Sequence, residues 1–366
     1  MFKEIQLDAP SLGEIEKKYL CQAIDSGFIS SVGPFIPEFE RKMADYLGVK
    51  GAAALQSGTA AIYMALYELG LGPGDEVIVP ALTFAATVNP VLYAGATPVI
   101  VDVDIKTWNI DPARVKEAVT GRTKAIVPAH LYGNPCHMGE IMDIAREHGL
   151  HVIEDATESL GATVDGKHTG SFGNFGCFSF NGNKLITTGG GGMVVGNDIE
   201  RIEHIRYLAN QSKDKDRPGF HSEMGFNFRM TNIEAALGLA QFEQIDMFLD
   251  KKKRFKGIYQ EKLGGLSCVS FQGQYDNAVE SGWLTCIEIE KNIDIPDLMH
   301  TLKNKGVPTR RIFVPVNEMP YLKKYAGHCV HAAEIYGRGL CLPGSVLNEV
   351  KDMEETALMI RKVLGG

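Results

Sequence analysis

Short, continuously apolar segments recur through the first half of the chain, and each is followed by a stretch with helical character. Four of them cover residues 77–79, 98–101, 125–127 and 151–153. A strand that is covered on one side only alternates apolar and polar residues, so an unbroken apolar run indicates a strand covered on both faces. The sequence therefore predicts an α/β fold with a largely parallel sheet between helices.

Helix start signals lie between and after these strands. Asp111 followed by Pro112 has the pattern of an N-cap with proline in the first turn. Further along, Thr231 and Glu234 have the spacing of a capping box. We expect the helix that this box opens to continue to about residue 252.

The chain has 366 residues, which is long enough for two domains. Apolar residues at helical spacing over 12–27 and 35–47 precede the alternation of strands and helices. After about residue 250 the pattern becomes mixed. We therefore expect a large domain over residues 1–250, which includes the N-terminal helices, and a smaller C-terminal domain over residues 251–366.

Charge and cysteine content restrict the possible partners. The formal net charge is -8, which argues against binding to nucleic acid or to an anionic membrane surface, because both need basic patches. The seven cysteines include no C-x-x-C pair, so we expect free thiols in a reducing compartment. Because no secretory signal pattern and no membrane-spanning run is seen, we expect a cytoplasmic protein.

Candidate ligand-binding residues fall where strands end, which is where α/β proteins place their ligands. Residues 57–59 (Ser-Gly-Thr) lie between a strand and a helix, so their amides could bind an anion, or the serine could simply cap the helix. Glu154 and Asp155 follow an apolar strand. A carboxylate there could bind a metal or a ribose, act as a general base, or cap the next helix.

Lys184 stands out because its surroundings are apolar and glycine-rich, whereas most lysines are solvated surface groups. Partial desolvation would favour the neutral, nucleophilic amine. The glycines at 189–192 could let the backbone approach a bulky ligand, or could form a flexible hairpin turn. The polar segment 225–229 precedes the capping box and could bind a ligand or anchor a loop.

These segments belong to a longer series of motifs in a fixed order. The series is Ser57-Gly58-Thr59-Ala60-Ala61, Pro73-Gly74-Asp75-Glu76-Val77, Gly95-Ala96-Thr97-Pro98, His130-Leu131-Tyr132-Gly133, Ile153-Glu154-Asp155-Ala156, Gly176-Cys177-Phe178-Ser179-Phe180, Asn183-Lys184 and Gly225-Phe226-Asn227-Phe228-Arg229. In order and spacing it closely resembles the sugar aminotransferases of the DegT/DnrJ/EryC1/StrS family. The resemblance covers residues 53–244 clearly and the C-terminal part more loosely.

The resemblance implies the fold of fold type I pyridoxal-phosphate enzymes, which is similar to that of aspartate aminotransferase. Such a fold has a mostly parallel seven-stranded sheet between helices in the large domain and a smaller α+β C-terminal domain. Pyridoxal 5′-phosphate is the implied cofactor, and no metal site is expected.

The resemblance also assigns roles around the cofactor ring. Lys184 matches the lysine that bonds covalently to the cofactor and then carries protons. Asp155 matches the acid that pairs with the pyridine nitrogen, so that the ring can accept electrons. Phe84 matches the aromatic residue that stacks on the ring face. Glu158 matches a position beside the ring hydroxyl, where many family members have glutamine or histidine.

Other positions match the residues that bind the phosphate. These are Gly58, Thr59 and Ser179 within one chain, and Asn227, which in the family comes from the neighbouring subunit. The resemblance therefore implies a homodimer with shared active sites.

For the substrate, the resemblance implies a nucleotide-linked keto-sugar, with L-glutamate as the amino donor. Glu158 and the segment 181–184 look most like the subgroup that acts at C4 of UDP-4-keto-6-deoxy-N-acetylhexosamines, as in bacillosamine and legionaminic acid synthesis. GDP-perosamine synthases share the glutamate, so a GDP-linked sugar is an alternative, as is a 3-keto-sugar. The candidate substrate contacts are Gly27, Phe28, Gln56, Arg229, Arg311 and Phe313.

Other classes of protein fit the sequence less well. A Rossmann dehydrogenase would have G-x-G-x-x-G after its first strand, and that spacing does not occur in the chain. A P-loop is absent too. The histidine pairs 148/151 and 328/331 lack further ligands at metal spacing. Lys184 argues against the dehydratase relatives that have histidine there, and the intact motifs argue against a non-enzymatic sensor on the same fold.

Overall fold

The computed structural model describes residues 4–214, 216–290 and 292–365, and these residues form a mixed α/β structure. The strands are β1 (Gly51–Leu55), β2 (Glu76–Pro80), β3 (Thr97–Val101), β4 (Thr123–Ile126), β5 (His151–Asp155), β6 (Thr163–Val164), β7 (Lys167–His168), β8 (Phe175–Ser179), β9 (Gly192–Gly196), β10 (Val269–Phe271), β11 (Ala278–Val279), β12 (Cys286–Ile289), β13 (Arg310–Arg311) and β14 (Gly339–Cys341). The helices are α1 (Glu14–Asp25), α2 (Phe35–Leu47), α3 (Gly58–Glu68), α4 (Ala85–Tyr93), α5 (Pro112–Ala118), α6 (Met138–His148), α7 (Ile199–Ala209), α8 (Asn232–Phe242), α9 (Ile245–Leu263), α10 (Ile295–Asn304), α11 (Val330–Arg338) and α12 (Val350–Gly365).

The central sheet has seven strands in the order β1-β9-β8-β5-β4-β2-β3. From β8 to β3, each strand pairs in parallel with the next one in the sheet. Strand β9 runs antiparallel to both of its neighbours, β1 and β8. The expected fold class, with a mostly parallel seven-stranded sheet, is therefore confirmed.

Side chains on neighbouring positions of one strand enter different hydrophobic clusters. In β2, Val77 and Val79 pack in the cluster that contains residues of α3, α4 and α7, whereas Ile78 packs in the cluster that contains residues of α5 and α6. In β1, Ala53 likewise joins the first cluster, while Ala54 joins a third that contains α2 and α8. Both faces of the sheet are covered, which explains why its strands are apolar throughout.

The predicted helix starts are confirmed. Asp111 accepts a hydrogen bond from the amide of Ala113 at 2.9 Å, with Pro112 in the first turn of α5. Thr231 and Glu234 form the reciprocal bonds of a capping box at the start of α8. No helix within the described ranges is long and apolar enough to cross a membrane.

The helix expected to run to residue 252 is instead two helices, α8 and α9, separated by Glu243 and Gln244. Buried Glu16 of α1 lies at this break. Its carboxylate accepts hydrogen bonds from the side chains of Gln241 and Gln244, both at 2.6 Å. This tertiary contact holds the turn between the helices, and a sequence pattern read along one helix could not reveal it.

The C-terminal part builds a second sheet of four strands in the order β10-β12-β14-β13. One of its faces packs on a cluster formed with α9, α10 and α12, which includes Ile287 and Leu340. The neighbouring residues Cys286 and Cys341 pack in the large cluster of the first sheet. The boundary expected near residue 250 falls inside α9, and the division into domains at that point stays a prediction.

Lys252 of α9 is buried beneath the second sheet. Its ammonium group donates a hydrogen bond to the carbonyl of Trp283 at 2.7 Å. Burial lowers the pKa of Lys252 from its ordinary 10.5 to about 7, with a smaller opposing effect from the charge of Asp8. Between pH 7 and 10.5 the unfolded chain therefore binds a proton that the folded protein does not, so this lysine makes stability rise with pH in that window.

Replacing Lys252 with methionine should remove this dependence. We expect the stability of the Lys252→Met variant relative to wild type to be greatest at pH 7 and to decrease by about 2–3 kcal/mol on going to pH 9. Chemical denaturation of the cofactor-free proteins at both pH values measures this difference. Lys253→Met, at an exposed position of the same helix, is the control, and equal pH dependence in the two variants would contradict the prediction.

Candidate active site

The N-terminus of α3 faces a cavity at the end of β1. Ser57 caps this helix, and its hydroxyl accepts a hydrogen bond from the amide of Ala60 at 3.1 Å. A Cβ on Gly58 would lie 2.9 Å from Cβ of Ser179 and 3.0 Å from Cγ2 of Thr157, so glycine lets β8 approach the helix end closely. Free amides and the helix dipole make this position suitable for a phosphate.

Of the two carboxylates at the end of β5, Glu154 is structural. It is fully buried, and it accepts hydrogen bonds from the amides of Gly170, Phe172 and Gly173 at 2.6–2.8 Å. His130 lies 3.2 Å away through Nε2. These partners satisfy both oxygens, so Glu154 shapes the loop before β8 and does not line the cavity.

Asp155, the next residue, has a different environment. Its Oδ2 accepts a hydrogen bond from the hydroxyl of Thr87 at 2.6 Å, and its Oδ1 accepts one from the amide of Thr157 at 3.2 Å. It lines a small space that continues the cavity beneath Phe84. The carboxylate is thus held firmly at the floor of the site, and the alternation of side chains along β5 separates its role from that of Glu154.

Lys184 lies in the loop after β8, with only 14% of its side chain exposed. Its ammonium nitrogen is 3.4 Å from Oε1 of Glu158 and 4.2 Å from the centre of the Trp283 ring. The other oxygen of Glu158 accepts a hydrogen bond from the amide of Tyr132 at 2.8 Å. Burial raises the pKa of the Glu158 carboxyl, although Lys184 opposes this effect.

Aromatic side chains form one wall of the site. Phe84 packs against Phe313, with ring centres 5.4 Å apart, and Phe313 is stacked on Tyr132 at 5.1 Å. Tyr132 is in turn stacked on Trp283 at 6.1 Å. Phe84 keeps 57% of its surface exposed, so its ring is available to a ligand.

The cavity has a volume of about 500 Å³. It brings together eight of the residues predicted from the sequence, with Asp155 in the adjoining space. The residues that line it are Gln56, Ser57, Gly58, Thr59, Phe84, Ala86, Thr157, Glu158, Ser179, Asn181, Asn183, Lys184, Gly190, Gly191, Trp283, Arg310 and Phe313.

Five of the predicted site residues lie outside this cavity and its floor. Gly27, Phe28 and Asn227 are exposed and do not line this cavity. The guanidinium of Arg229 is held by the carboxylate of Glu40 and donates to a backbone carbonyl of β1 at 2.9 Å. Arg229 therefore anchors the loop before α8, which is the structural alternative noted for its segment, and we leave it out of the proposed substrate contacts.

The predicted substrate residue Arg311 is also outside the cavity. It donates a hydrogen bond to the carbonyl of Tyr336 at 2.9 Å and lies 4.1 Å above the ring of that tyrosine. Its neighbour Arg310 lines the cavity instead and donates to Asp8 at 2.7 Å. Consecutive residues of a strand point to opposite faces, so only one of the two arginines of β13 can reach the site.

Further cavity and floor residues were given no role from the sequence, among them Thr87, Trp283 and Asn183. Thr87, in the first turn of α4, could have been noticed as a hydroxyl close to Phe84. Trp283 is one of only two tryptophans in the chain and follows a glycine, but nothing local connects it to Lys184. Asn183 stands directly before Lys184, and it donates a hydrogen bond to Asp8 at 3.1 Å.

The site fits pyridoxal phosphate through the chemistry of its side chains. The α3 N-terminus with Ser179 offers amides and a hydroxyl for the phosphate, and Phe84 offers an exposed ring face. Asp155 offers a buried carboxylate for a protonated ring nitrogen, and Lys184 offers an amine. All four functions converge on one cavity and its floor.

Comparison with known proteins finds relatives that match almost the whole chain. It is 42% identical over 369 residues to a GDP-perosamine synthase of Caulobacter vibrioides, with 98% of each chain covered. It is 41% identical to a GDP-perosamine synthase of Escherichia coli O157:H7, with 95% of each covered. Among solved structures, DesI in the presence of its TDP-sugar product is 32% identical, with a TM-score of 0.91 over 99% of this chain and 94% of that one.

The family model of the DegT/DnrJ/EryC1/StrS aminotransferases matches residues 10–359. This match includes the second sheet, so the resemblance that is clear over residues 53–244 extends through the C-terminal part. The chain belongs to the DegT/DnrJ/EryC1/StrS aminotransferase family, and it is a pyridoxal-phosphate-dependent aminotransferase.

Proposed function

We propose that the protein transfers an amino group from L-glutamate to the C4 keto group of a 4-keto-6-deoxy sugar that is linked to a nucleoside diphosphate. The observation that carries this proposal is the position of the largely buried Lys184 amine at the cavity wall, with a fixed carboxylate, Asp155, in the adjoining floor. The aminated sugar and 2-oxoglutarate would be the products of the two half-reactions.

Lys184 is the proposed proton carrier. When bound, pyridoxal phosphate supplies a ring that accepts the electron pair left on a substrate carbon after its proton is removed. Lys184 accepts that proton on Nζ as a general base. It later donates the proton again as a general acid. Glu158, 3.4 Å from the same nitrogen, holds the amine on this side of the cavity.

Asp155 is proposed to keep the ring nitrogen protonated. Its carboxylate is buried and fixed by Thr87 and by the amide of Thr157, so it cannot turn away from the site. A fixed charge inside the protein interacts more strongly with a cation than the same charge would in water.

Arg310 is proposed to bind a carboxylate of the amino donor. Among the described residues that line the cavity, the cationic side chains are Lys184 and Arg310. Lys184 is occupied by the chemistry, which leaves Arg310. Its Nη1 donates to Asp8, and the other nitrogens of the guanidinium are proposed to meet the anionic donor. This proposal replaces Arg311, which the sequence suggested and which turns to Tyr336 instead.

The proposal also concerns the nucleotide to which the sugar is linked. The subgroup resemblance of the sequence favoured UDP-linked N-acetylhexosamines, whereas the two relatives described above, at 42% and 41% identity, are GDP-perosamine synthases. We therefore rank a GDP-linked 4-keto-6-deoxy sugar first and a UDP-linked N-acetyl sugar second.

A panel of nucleotide sugars tests the proposed reaction. With L-glutamate as donor, we expect the GDP-linked 4-keto-6-deoxy sugar to be aminated with the highest kcat/KM among GDP-, UDP- and dTDP-linked substrates. Mass spectrometry of the product and NMR of the carbon that bears nitrogen give the readout. Lys184→Ala is the inactive control. Amination at C3, or turnover of none of these sugars, would contradict the proposal.

The role of Arg310 can be tested against its neighbour in the same strand. We expect Arg310→Met to raise KM for glutamate about 10- to 100-fold, because a charge-assisted hydrogen bond contributes about 1.5–3 kcal/mol. KM for the sugar should change little. Arg311→Met is the matched control and should leave KM for glutamate near that of wild type. An equal effect of the two substitutions would refute the assignment.

We further propose that the enzyme is a homodimer in which Asn227 serves the phosphate site of the partner subunit. Asn227 is exposed and outside the cavity of its own chain. The exposed side chains Phe220 and Met224 in the preceding loop provide apolar surface near it. In the family, the matching asparagine comes from the neighbouring chain, as the motif resemblance implies.

Complementation between two inactive variants tests the shared site. Lys184→Ala removes the amine, and Asn227→Asp sets a negative charge against the phosphate of the partner site. When the two are co-expressed, half of the sites in a mixed dimer combine an intact Lys184 with an intact Asn227. We expect activity well above that of either parent. Activity no higher than the parents, or an active monomer in sedimentation, would rule out the shared site.

A further inference from the structure

Trp283 stands against the amine of Lys184 although it comes from the C-terminal half of the chain. The centre of its ring lies 4.2 Å from Nζ, and only 2% of the residue is exposed. On another side the amine lies 3.4 Å from a carboxylate oxygen of Glu158. Lys184 is therefore held between a carboxyl group and the face of an aromatic ring.

Trp283 is itself held at three points, two on its ring and one on its backbone. Its Nε1–H donates a hydrogen bond to the carbonyl of Asn183 at 2.7 Å, directly beside Lys184 in the chain. Its backbone carbonyl accepts the hydrogen bond from buried Lys252 at 2.7 Å. Its ring is stacked on Tyr132 with an angle of 17° between the planes. The ring and the backbone of the Lys184 loop thus form one rigid unit.

A lysine that carries protons needs such a support. Its four-carbon stem has many rotamers, and holding the amine in one place costs conformational entropy. An aromatic face attracts the ammonium form at close range and excludes water from it, without a donor or acceptor that would compete for the proton. A proton that is moved twice by the same nitrogen requires the nitrogen to return to the same place each time.

We infer that Trp283 is a positioning residue for Lys184, and that its ring face holds the amine whenever the amine is not bonded to the cofactor. The inference rests on the proposed role of Lys184 as proton carrier. It assigns a function in the reaction to the loop that precedes β12. The hydrogen bond from buried Lys252 to the carbonyl of Trp283 then contributes by holding this loop in place.

Two substitutions of Trp283 that differ in the size of the remaining ring test whether the ring positions Lys184. Trp283→Phe keeps a smaller ring face and loses the bond to Asn183, whereas Trp283→Leu keeps apolar bulk without a ring. We expect the single-turnover rate of the glutamate half-reaction to decrease about 10- to 100-fold in Trp283→Leu and less in Trp283→Phe. KM for glutamate and for the sugar should stay within about twofold of wild type. Trp108→Phe, a change of the other tryptophan in the core, is the control and should leave all three values unchanged.

Deuterium at Cα of glutamate identifies the affected step. In Trp283→Leu the slowed rate should depend on this deuterium, because proton transfer by Lys184 is the step that we expect to be impaired. A rate loss that is insensitive to deuterium, or a loss confined to KM, would overturn the inference. If Trp283→Leu does not fold, as judged by circular dichroism, Trp283→Phe decides by the same two criteria.

A second readout uses the cofactor-free protein. With acetic anhydride as the probe, peptide mass spectrometry measures how fast the amine of Lys184 is acylated. We expect several-fold faster acylation in Trp283→Leu than in wild type or Trp108→Phe, because the ring no longer covers the amine. Equal rates would count against the inference.

Borohydride reduction of the wild-type holoenzyme separates this inference from the function on which it rests. If peptide mapping finds the cofactor on another lysine, the proposed role of Lys184 is wrong and the inference about Trp283 is overturned with it. If the cofactor is found on Lys184 while the Trp283 variants behave as wild type, only the role of Trp283 is wrong.

Discussion

The burial of the central sheet on both faces is the constraint on which the rest of the structure depends. Strands that are covered on both sides can carry polar groups only near their ends, unless each group is paired. Strand β5 shows both cases in adjacent residues. Glu154 is fully buried and satisfied by three amides and His130, whereas Asp155 emerges at the strand end and faces the site. One step along a strand thus separates a structural carboxylate from a catalytic candidate.

A second consequence of burial is the chemistry at Lys184. The amine and the Glu158 carboxyl are both largely removed from water and lie 3.4 Å apart, so their interaction is stronger than that of a surface pair. The raised pKa of Glu158 means that its carboxyl retains a proton to a higher pH than an exposed glutamate does. Burial thus fixes the Glu158 carboxyl beside the amine for which the proton-carrying role is proposed.

Much of the fold and of the cofactor site could be predicted because the signals are local. Apolar runs and the capping box predicted the sheet and the start of α8. The residues at strand ends singled out Asp155 and Lys184, which the structure brings to one cavity and its floor. The errors concern contacts between distant segments. The break after α8 depends on Glu16 of α1, and the choice between Arg310 and Arg311 depends on which face of β13 meets the cavity. Trp283 reaches Lys184 only because the second sheet packs on the first.

The residues that line the cavity come from two different sheets, and this has a consequence for substrate choice. The residues that fit the cofactor come from the first sheet and its helices, at α3, α4, β5 and β8. Arg310 and Phe313 come from an edge strand of the second sheet and the segment after it, and both line the cavity. Changes at these two positions can alter the groups presented to the substrate while the cofactor contacts stay intact. This separation offers a physical reason why relatives named for GDP- and TDP-linked sugars can share one cofactor site.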